Sequence, residues 1–449
     1  MINPTAHPAR HGQQPARLYF IHIPKCAGTT LVSVLERRFA ESGVFPAQLW
    51  EEAVPLGRDK FGDYQLYRGH FGGFGLDGLV ADDVDCITML RDPIRRAASA
   101  YRFIQREPNT RLHQIVVDEG LSFEQFVVDP RTRGIVSNAL VRNLSFRLRM
   151  VQGDPAIFQR NGEQARAALK APGDRIPMPL RLARAIDRIA TCRLVGLVSK
   201  FEESMALLSY QYRWPPVGKV AALRAADGPE LEQLDPATLQ ALRQLNKEDL
   251  KLYRFAARLV RARIKVMMSE LSRYVRPGET MPDCIADNPQ LVHHLLDRHY
   301  QSGFRAESVA LPKRIDLKVA DPLSGWGWHG RERSGLRRVR WSGPGCESVI
   351  DLRIKPAALR LDLKLGGFAA SSVAQGMRLD INGHTADVDW QKVGSKVSID
   401  IPLAWQNDDG FLRLRFITAS TARVIDKRFL TEAEIDRGFA FAGLTVQAK

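Results

Sequence analysis

Seven residues at positions 24–30, Pro-Lys-Cys-Ala-Gly-Thr-Thr, join an apolar stretch to an amphipathic helical pattern. Backbone N–H groups at the start of a helix attract phosphate or another oxyanion. Gly28 permits close approach of the backbone to a ligand, and Lys25 adds a positive charge. Thr29 and Thr30 offer hydroxyl donors at the helix start. We therefore predict that this segment, called the anion loop below, cradles an oxyanion.

The anion loop differs from the nucleotide-binding P-loop, whose pattern is G-x-x-x-x-G-K-[ST]. The first glycine of that pattern is missing, and Lys25 precedes Gly28 instead of following it. These departures disfavour a magnesium-dependent nucleotide hydrolase. A kinase with a P-loop-like fold stays open as an alternative, although the sequence shows no clear carboxylate motif for magnesium.

A second segment that could do chemistry is CITMLRDPIRRAASAYRF, at residues 86–103. Its apolar start predicts a strand, and Arg-Asp-Pro then leads into a helical pattern. Ser99 falls on the same helix face as Arg95 and Arg102, at the spacings i−4 and i+3. The sequence therefore predicts a polar, basic helix face directly after a buried strand.

Elements that would position these segments recur along the first half of the chain. Short apolar runs alternate with helical patterns at residues 18–24, 65–70, 85–91 and 192–198. Such alternation predicts a parallel sheet with helices on both faces. Residues 161–191 and 200–213 add helical periodicity, and a longer helical pattern ends near residue 275.

The pattern changes in the last third of the chain. The stretch RPGETMPDCIADNPQ interrupts the helical periodicity, and beyond residue 310 segments such as LRLDLKL and FLRLRFI alternate with period two. We therefore predict an all-β sandwich after the α/β region. The predicted divisions are a disordered lead-in, an α/β domain, a linker region and the sandwich, at residues 1–16, 17–275, 276–310 and 311–449.

Both chemical segments resemble those of the carbohydrate sulfotransferases related to heparan sulfate 2-O-sulfotransferase, which use 3′-phosphoadenosine 5′-phosphosulfate (PAPS). FIHIPKCAGTTL is similar to that family's 5′-phosphosulfate loop, and CITMLRDPIRRAASAYRF to its 3′-phosphate element. Weaker similarity in NALVRNLS, LVGLVSKFEESMALL and LNKEDLKLYRFA extends the resemblance over roughly residues 17–260. It implies the sulfotransferase fold, a P-loop-like parallel sheet with flanking helices, and PAPS as co-substrate without a metal.

The resemblance also implies which residues bind the donor. Those expected at the 5′-phosphosulfate are Lys25, Cys26, Ala27, Gly28, Thr29 and Thr30. Arg91 and Ser99 are expected at the 3′-phosphate, where a planar guanidinium and a hydroxyl suit phosphate oxygens. Sulfuryl transfer resembles phosphoryl transfer, an in-line displacement in which charge gathers on the leaving oxygen. Lys25 is the cation expected beside that oxygen.

The acceptor hydroxyl needs a base. Related family members use a histidine shortly after the second strand or a glutamate, and LYRGHFGGFG places His70 there. An unperturbed imidazole titrates near pH 6.5, so its neutral form is available at physiological pH. His22, on the strand that leads into the anion loop, is expected to orient its neighbours or to contact the substrate, with direct chemistry as the alternative. Arg142 in NALVRNLS contacts the acceptor or PAPS, or is an exposed helix residue. The glycines that follow His70 predict a mobile loop or a plain turn, and they are Gly72, Gly73, Gly75 and Gly78.

The composition of the 449 residues limits the classes of molecule that this protein is expected to bind. A formal net charge of +15 implies an anionic partner, which charge alone leaves open among nucleotide, acidic glycan, membrane surface and nucleic acid. From the resemblance, we expect that the protein binds a nucleotide sulfate donor and a carbohydrate acceptor and does not bind nucleic acid. Peripheral contact with a membrane stays open. No apolar run reaches the roughly 18 residues of a membrane span, and the N-terminus lacks a signal-peptide core, which predicts a cytoplasmic protein.

Another class of protein stays open: a glycan-binding protein with an inactive transferase domain. The presence of Lys25, His70, Arg91 and Ser99 argues against it. The segment GWGWHGRERSGLRRVRW loosely resembles β-sandwich modules attached to bacterial glycan-modifying enzymes, so the last domain could bind carbohydrate or another partner. Either sugar stacking or core packing would explain its tryptophans, Trp326, Trp328 and Trp341.

Overall fold

The computed structural model describes residues 17–80, 83–147, 176–220, 234–307, 310–334, 336–426 and 433–449. The predicted lead-in and part of the predicted helical stretch 161–191 lie outside them. The described residues form two compact units that are interleaved along the chain. The first unit lies within Met1–Gly28, Gly43–Leu207 and Ala225–Met268, and the second within Thr29–Ser42, Leu208–Arg224 and Ser269–Lys449. The predicted domain boundaries stay predictions.

A four-stranded parallel sheet forms the centre of the first unit. Its strands are β1 (Arg17–Ile21), β2 (Leu66–Gly69), β3 (Val84–Leu90) and β4 (Leu194–Leu197). The strand order is β2-β1-β3-β4, and every neighbouring pair is parallel. β1 and β4 are almost entirely buried, as expected for strands covered on both faces. The predicted parallel sheet within a mixed α/β chain is confirmed.

The α-helices of the described residues begin in the loops between these strands and continue beyond them. They are α1 (Gly28–Leu35), α2 (Trp50–Ala53), α3 (Pro93–Arg106), α4 (Phe123–Val128), α5 (Arg133–Val136), α6 (Ala139–Leu144), α7 (Met178–Thr191), α8 (Phe201–Tyr212), α9 (Pro236–Leu245), α10 (Lys247–Leu271), α11 (Pro289–Ala306) and α12 (Ser371–Gln375). α3 shows why such helices start where they do. The Asp92 carboxylate accepts hydrogen bonds from the N–H groups of Ile94 and Arg95, both at 3.0 Å, and Pro93 fits the first helical position.

Antiparallel strands fill the C-terminal part of the second unit. They are β5 (Arg314–Leu317), β6 (Trp328–Ser334), β7 (Arg337–Ser342), β8 (Glu347–Arg353), β9 (Leu359–Phe368), β10 (Arg378–Ile381), β11 (His384–Thr385), β12 (Lys396–Ile401), β13 (Phe411–Ile417), β14 (Ala422–Asp426), β15 (Ala433–Arg437) and β16 (Phe439–Ala448). One sheet has the order β11-β10-β13-β8, a larger one has β12-β9-β16-β7-β6 with β5 beside β16, and β14 pairs with β15. The period-two prediction of C-terminal strands is confirmed.

One hydrophobic cluster contains buried side chains from both of the larger sheets. Trp328, only 1% exposed, contacts Phe416 on β13 and Phe439 and Phe441 on β16, with ring centroids 5.5–6.0 Å apart. Its indole N–H donates to the Val349 carbonyl at 2.8 Å. Of the two explanations for this tryptophan, core packing is therefore correct.

The predicted linker region, 276–310, contains a well-formed helix. In α11 the Asn288 side chain accepts from the Leu291 N–H at 3.0 Å, and Pro289 occupies the first helical position. Leu295 and Leu296 are buried along one face. The proline and glycine residues before position 289 interrupt the helical periodicity. The pattern therefore predicts a linker for the whole segment, and the sequence alone does not predict the helix that follows these residues. No helix in the described parts of the chain is both long and apolar enough to cross a membrane.

Candidate active site

The predicted chemical residues follow three adjacent strands. The carboxyl ends of parallel strands meet at one edge of a sheet, and β1 lies between β2 and β3. The first five residues of the anion loop, 24–28, follow β1, whereas His70 follows β2 and Arg91 follows β3. The chain reverses its direction of sheet growth between β1 and β3, which is where ligands bind in open α/β sheets.

The backbone of the anion loop is held in a costly conformation. Lys25 and Ala27 have φ values of 70° and 57°, in the left-handed region that costs non-glycine residues on the order of 1–3 kcal/mol. A backbone of this kind can turn N–H groups toward an anion. The Cys26 N–H is already used, since it donates to the Ile23 carbonyl at 3.3 Å. Such strain persists where the surroundings enforce it, and it points to a functional loop.

Cys26, between the two left-handed residues, ties the loop to the neighbouring chemical segment. Its side chain is buried and donates to the Pro24 carbonyl at 3.9 Å, and it lies close enough to Arg91 for that residue to oppose the rise in its pKa. Burial raises the pKa of the Cys26 thiol to about 11, so the thiol is neutral at physiological pH. Cys26 therefore serves as an internal support of the loop, and a thiolate nucleophile is excluded by its surroundings.

Gly28 starts α1 against the imidazole of His22. A Cβ atom at position 28 would lie 1.7 Å from His22 Nε2, far inside any permitted contact. The His22 ring is itself fixed from two sides, stacked on Phe20 with centroids 5.2 Å apart and 4.2 Å from the ring of His70. The glycine is therefore required because His22 occupies the space that a side chain would need.

His70 is oriented as a base. Its Nδ1 lies 2.7 Å from the carbonyl oxygen of His22, and because a carbonyl only accepts hydrogen bonds, Nδ1 must carry the proton. The lone pair is then on Nε2. Burial lowers the pKa of His70 below its usual 6.5, so the neutral imidazole predominates at pH 7. Its backbone N–H donates to the Gln48 carbonyl at 2.7 Å, which anchors the residue.

A cavity of about 810 Å³ opens beside His70. It is lined by Leu49, Trp50, Glu51, His70, Gly72, Asn109, Arg111, Arg142, Asn143, Phe146 and Arg181. Three guanidinium groups face one carboxylate, so the cavity is cationic. Burial, and then the neighbouring Arg181, lower the pKa of Arg142, which shows that the two charges are close enough to repel. Bound anionic groups would relieve that repulsion.

The other residues predicted to bind the donor lie in the anion loop, directly after β3 and in α3. The Lys25 ammonium is 3.8 Å from the ring centroid of Phe103 on α3, a cation–π contact. Arg91 is half-buried, and burial lowers its pKa. Ser99 is half-buried on α3, and Thr29 and Thr30 are half-buried in the first turn of α1.

Reciprocal caps hold α6, the helix that carries Arg142. The Asp249 carboxylate accepts from the N–H groups of Leu140 and Val141, both at 2.8 Å. In return, the Asn138 amide oxygen accepts from the N–H groups of Asp249 and its predecessor at 3.1 Å, at the start of α10. These residues belong to NALVRNLS and LNKEDLKLYRFA, two of the segments with weaker similarity to the sulfotransferases. Their hydrogen bonds join the starts of α6 and α10 and thereby position Arg142.

Replacing Asp249 with alanine should lower the free energy of unfolding by about 1–3 kcal/mol, because two buried N–H donors lose their acceptor. Urea unfolding followed by circular dichroism measures the change. Glu248→Ala, at the partly exposed neighbouring position, is the matched control and should change stability by less than about 0.5 kcal/mol. Equal effects of the two substitutions would contradict the capping role.

The glycines after His70 have a packing role. A Cβ at Gly73 would lie 1.9 Å from the Leu144 carbonyl oxygen, and the Gly73 N–H donates to the Asn143 carbonyl at 2.8 Å. A Cβ at Gly72 would lie 2.4 Å from the ring of Phe146. The segment after His70 is thus pressed against the end of α6, which closes the cavity wall. The mobile loop expected as one alternative is replaced by a tightly packed one.

Sequence reasoning missed several residues of the cavity wall, chiefly Arg111 and Arg181. Both are arginines without a motif, in segments rich in arginine, and only the fold brings them to His70. Their positive charge was the one available signal. Within the part of the chain that the structure describes, no group of three or more His, Cys, Asp or Glu side chains could hold a metal ion.

Comparison with known proteins adds little to this geometry. No family model matches the chain, and no curated protein matches it. Among 12 solved chains that match is the native structure of a family 35 carbohydrate binding module from Clostridium thermocellum. The alignment has 12% sequence identity and a TM-score of 0.19, and covers 30% of this chain and 98% of that one. At these values the similarity carries no argument about function.

Proposed function

We propose that this protein is a sulfotransferase that moves a sulfuryl group from PAPS to a hydroxyl of a glycan or other carbohydrate. The observation that carries the proposal is the position of the anion loop between His70 and Arg91 along one edge of the parallel sheet. The resemblance to the heparan sulfate 2-O-sulfotransferase group assigns the same three segments to donor and acceptor. We also propose that the first unit has the sulfotransferase fold of that group, which is a more specific description than a parallel sheet with helices.

In this proposal the donor's two ends bind different segments. Arg91 and Ser99 hold the 3′-phosphate, and Lys25 to Thr30 hold the 5′-phosphosulfate. The proximity of Arg91 to Cys26 supports this pairing, because it brings the two segments together. The strained backbone at Lys25 and Ala27 supports it as well, since an anion can use the N–H groups that such a conformation presents.

Transfer then follows from the residues on each side of the loop. His70 Nε2 takes the proton of the acceptor hydroxyl as its oxygen forms a bond to sulfur. The bond between sulfur and the bridging oxygen breaks, and adenosine 3′,5′-bisphosphate leaves with the electron pair. Lys25 stabilises the charge that develops on the bridging oxygen. The low pKa of His70 favours this role, because the base is neutral before the reaction.

The cationic cavity beside His70 favours an acidic acceptor, such as a glycan that carries carboxylate or sulfate groups. Arg111, Arg142 and Arg181 line it, against the single carboxylate of Glu51. Guanidinium groups pair with carboxylates and sulfates through two parallel hydrogen bonds. Binding such groups would also offset the mutual repulsion of Arg142 and Arg181.

Thermal unfolding in the presence of nucleotides tests the proposed function. A ligand that binds only the folded protein raises its apparent stability. Adenosine 3′,5′-bisphosphate without metal should raise the melting temperature, whereas ATP with magnesium should have little effect. Stabilisation by ATP with magnesium alone would favour the kinase, and stabilisation by neither would remove the donor site.

Replacing Arg91 with alanine should weaken binding of adenosine 3′,5′-bisphosphate roughly 10- to 100-fold, or about 1.5–3 kcal/mol, as expected for a lost charged hydrogen-bond partner. Isothermal titration calorimetry measures the affinity. Arg106→Ala removes the same charge from an exposed position in the last turn of α3, so it should leave the affinity nearly unchanged. If both substitutions weaken binding equally, Arg91 contributes only to the general positive field.

A further inference from the structure

The second unit contains a cavity of about 600 Å³ that the proposed transferase chemistry does not use. One wall is a face of α11, and the other is formed by β8, β10 and β13 with the loops beside them. The residues that line it are Gln290, His293, His294, Asp297, Gln301, Arg305, Trp326, Glu347, Val349, Asp380, Asn382, Gly383, Asn407, Phe411, Arg413 and Arg415. Its volume lies within the roughly 300–1,000 Å³ of small-ligand sites.

Each guanidinium group that lines this cavity already forms an ion pair, and the pairs are Arg305 with Asp409, Arg413 with Asp297 and Asp351, and Arg415 with Glu347. Three carboxylates face three guanidinium groups, and they are Asp297, Glu347, Asp380, Arg305, Arg413 and Arg415. The carboxylates would repel an anionic ligand, and the guanidinium groups would repel a cationic one. Neither kind of ion would therefore recover the free energy that its desolvation costs. The pairing of these charges with one another thus selects against both kinds of ion and favours an uncharged polar ligand.

A buried ion-pair network makes the floor of the cavity rigid. The Arg413 guanidinium donates two hydrogen bonds to Asp297, at 2.7 and 2.8 Å, and two to Asp351, at 2.7 and 2.9 Å. Its guanidinium carbon lies 4.8 Å from the ring centroid of Trp326. Polar groups that are fixed before binding lose little conformational entropy when a ligand arrives.

Other lining side chains supply both hydrogen-bond donors and hydrogen-bond acceptors. Arg415 donates to the Glu347 carboxylate at 2.5 Å, and both side chains remain partly exposed, at 45% and 36%. The side-chain amides of Gln290 and Asn407 and the imidazole of His293 add groups of both kinds. Each hydroxyl of a sugar donates one hydrogen bond and accepts others, so it requires a donor and an acceptor side by side.

We propose that this cavity binds an uncharged, polyhydroxylated ligand, namely a segment of neutral glycan. The pairing of the charged side chains with one another sets the ligand's neutrality, and the carboxylates, guanidinium groups and amides of the lining set its hydroxyl-rich character. The aromatic side chains of Trp326 and Phe411 are 8% and 4% exposed, so hydrogen bonds supply most of the recognition. This site is separate from the acceptor cavity and does not depend on the proposed transferase activity.

Binding of the 449-residue chain to an array of neutral and acidic oligosaccharides tests this site. Calorimetry then measures the affinity for the neutral trisaccharide that binds most strongly. We expect a neutral glycan to bind and Glu347→Ala or Arg415→Ala to weaken its binding tenfold or more, as for the loss of a charged hydrogen-bond partner. The pair is partly exposed, so its loss should leave the fold intact. Melting temperatures verify this.

Asp316→Ala is the matched control, because Asp316 forms an exposed ion pair with Arg314 on β5 of the same unit and is not among the lining residues. It should leave glycan affinity unchanged. Three results would each overturn the proposal: no neutral glycan binds, acidic glycans bind more tightly in a manner sensitive to Glu347→Ala, or neutral binding survives both Glu347→Ala and Arg415→Ala. The last result would place the neutral glycan elsewhere on the chain.

Discussion

Replacing His70 with asparagine should lower turnover by roughly 10² to 10⁴-fold, the usual contribution of a general base, while donor affinity is retained. The asparagine amide can still donate a hydrogen bond to the His22 carbonyl, as Nδ1 of the imidazole does at 2.7 Å. It has no lone pair at the position of Nε2. The substitution therefore removes the proton acceptor and keeps the anchoring contact.

Steady-state rates of sulfuryl transfer and calorimetry with adenosine 3′,5′-bisphosphate measure the two quantities separately. His113→Asn is the matched control, because His113 Nδ1 also lies 2.7 Å from a backbone carbonyl, that of Ile104, and is not among the residues lining the cavity. It should leave turnover unchanged. A His70→Asn enzyme with near-normal turnover would show that another group accepts the proton, with His22 next in line.

The pH dependence of the wild-type rate gives an independent check of the same residue. His70 acts as a base only when neutral, and burial lowers its pKa below the usual 6.5. The rate should therefore fall on the acidic side, with a midpoint below pH 6.5, as the imidazole becomes protonated. The acidic limb should disappear in His70→Asn, whose side chain does not titrate.

The regular parts of the fold could be predicted because local patterns determine them. Four apolar runs correspond to β1 to β4, and their parallel pairing follows from the alternation with helices. The site was predictable to the extent that a parallel sheet gathers the ends of its strands. His70 and Arg91 therefore flank the anion loop because β2 and β3 flank β1.

Other features depend on contacts that no local pattern encodes. Arg111 and Arg181 reach the cavity only through the packing of the fold, and the tight fit of Gly73 against Leu144 joins segments 71 residues apart. The same is true of the caps between Asn138 and Asp249, where a polar residue in one weakly similar segment satisfies the helix start of the other. The sequence shows which residue types are present and how they are spaced along the chain. Only the three-dimensional structure shows which of them contact one another.

The close approach of Gly28 to His22 is another such contact, and its disruption should have a large effect. In Gly28→Ala the new Cβ would lie 1.7 Å from His22 Nε2, so either the imidazole or the start of α1 must move. The ring is confined by Phe20 and His70, and movement of the helix start would displace the N–H groups of the anion loop. Since a displacement of about 1 Å near reacting groups can cost 10²-fold, turnover should fall about 100-fold or more.

Overpacking should also lower the free energy of unfolding by about 1–3 kcal/mol in Gly28→Ala. Gly62→Ala is the control, because a Cβ there has no atom within 4 Å. A double-mutant cycle with His22→Ala assigns the cause, because removing the imidazole makes room for the new methyl group. The double variant should be more stable than the sum of the single changes predicts, by at least about 0.5 kcal/mol. Strictly additive stabilities would mean that Gly28 is needed for its backbone conformation and not for the space that His22 fills.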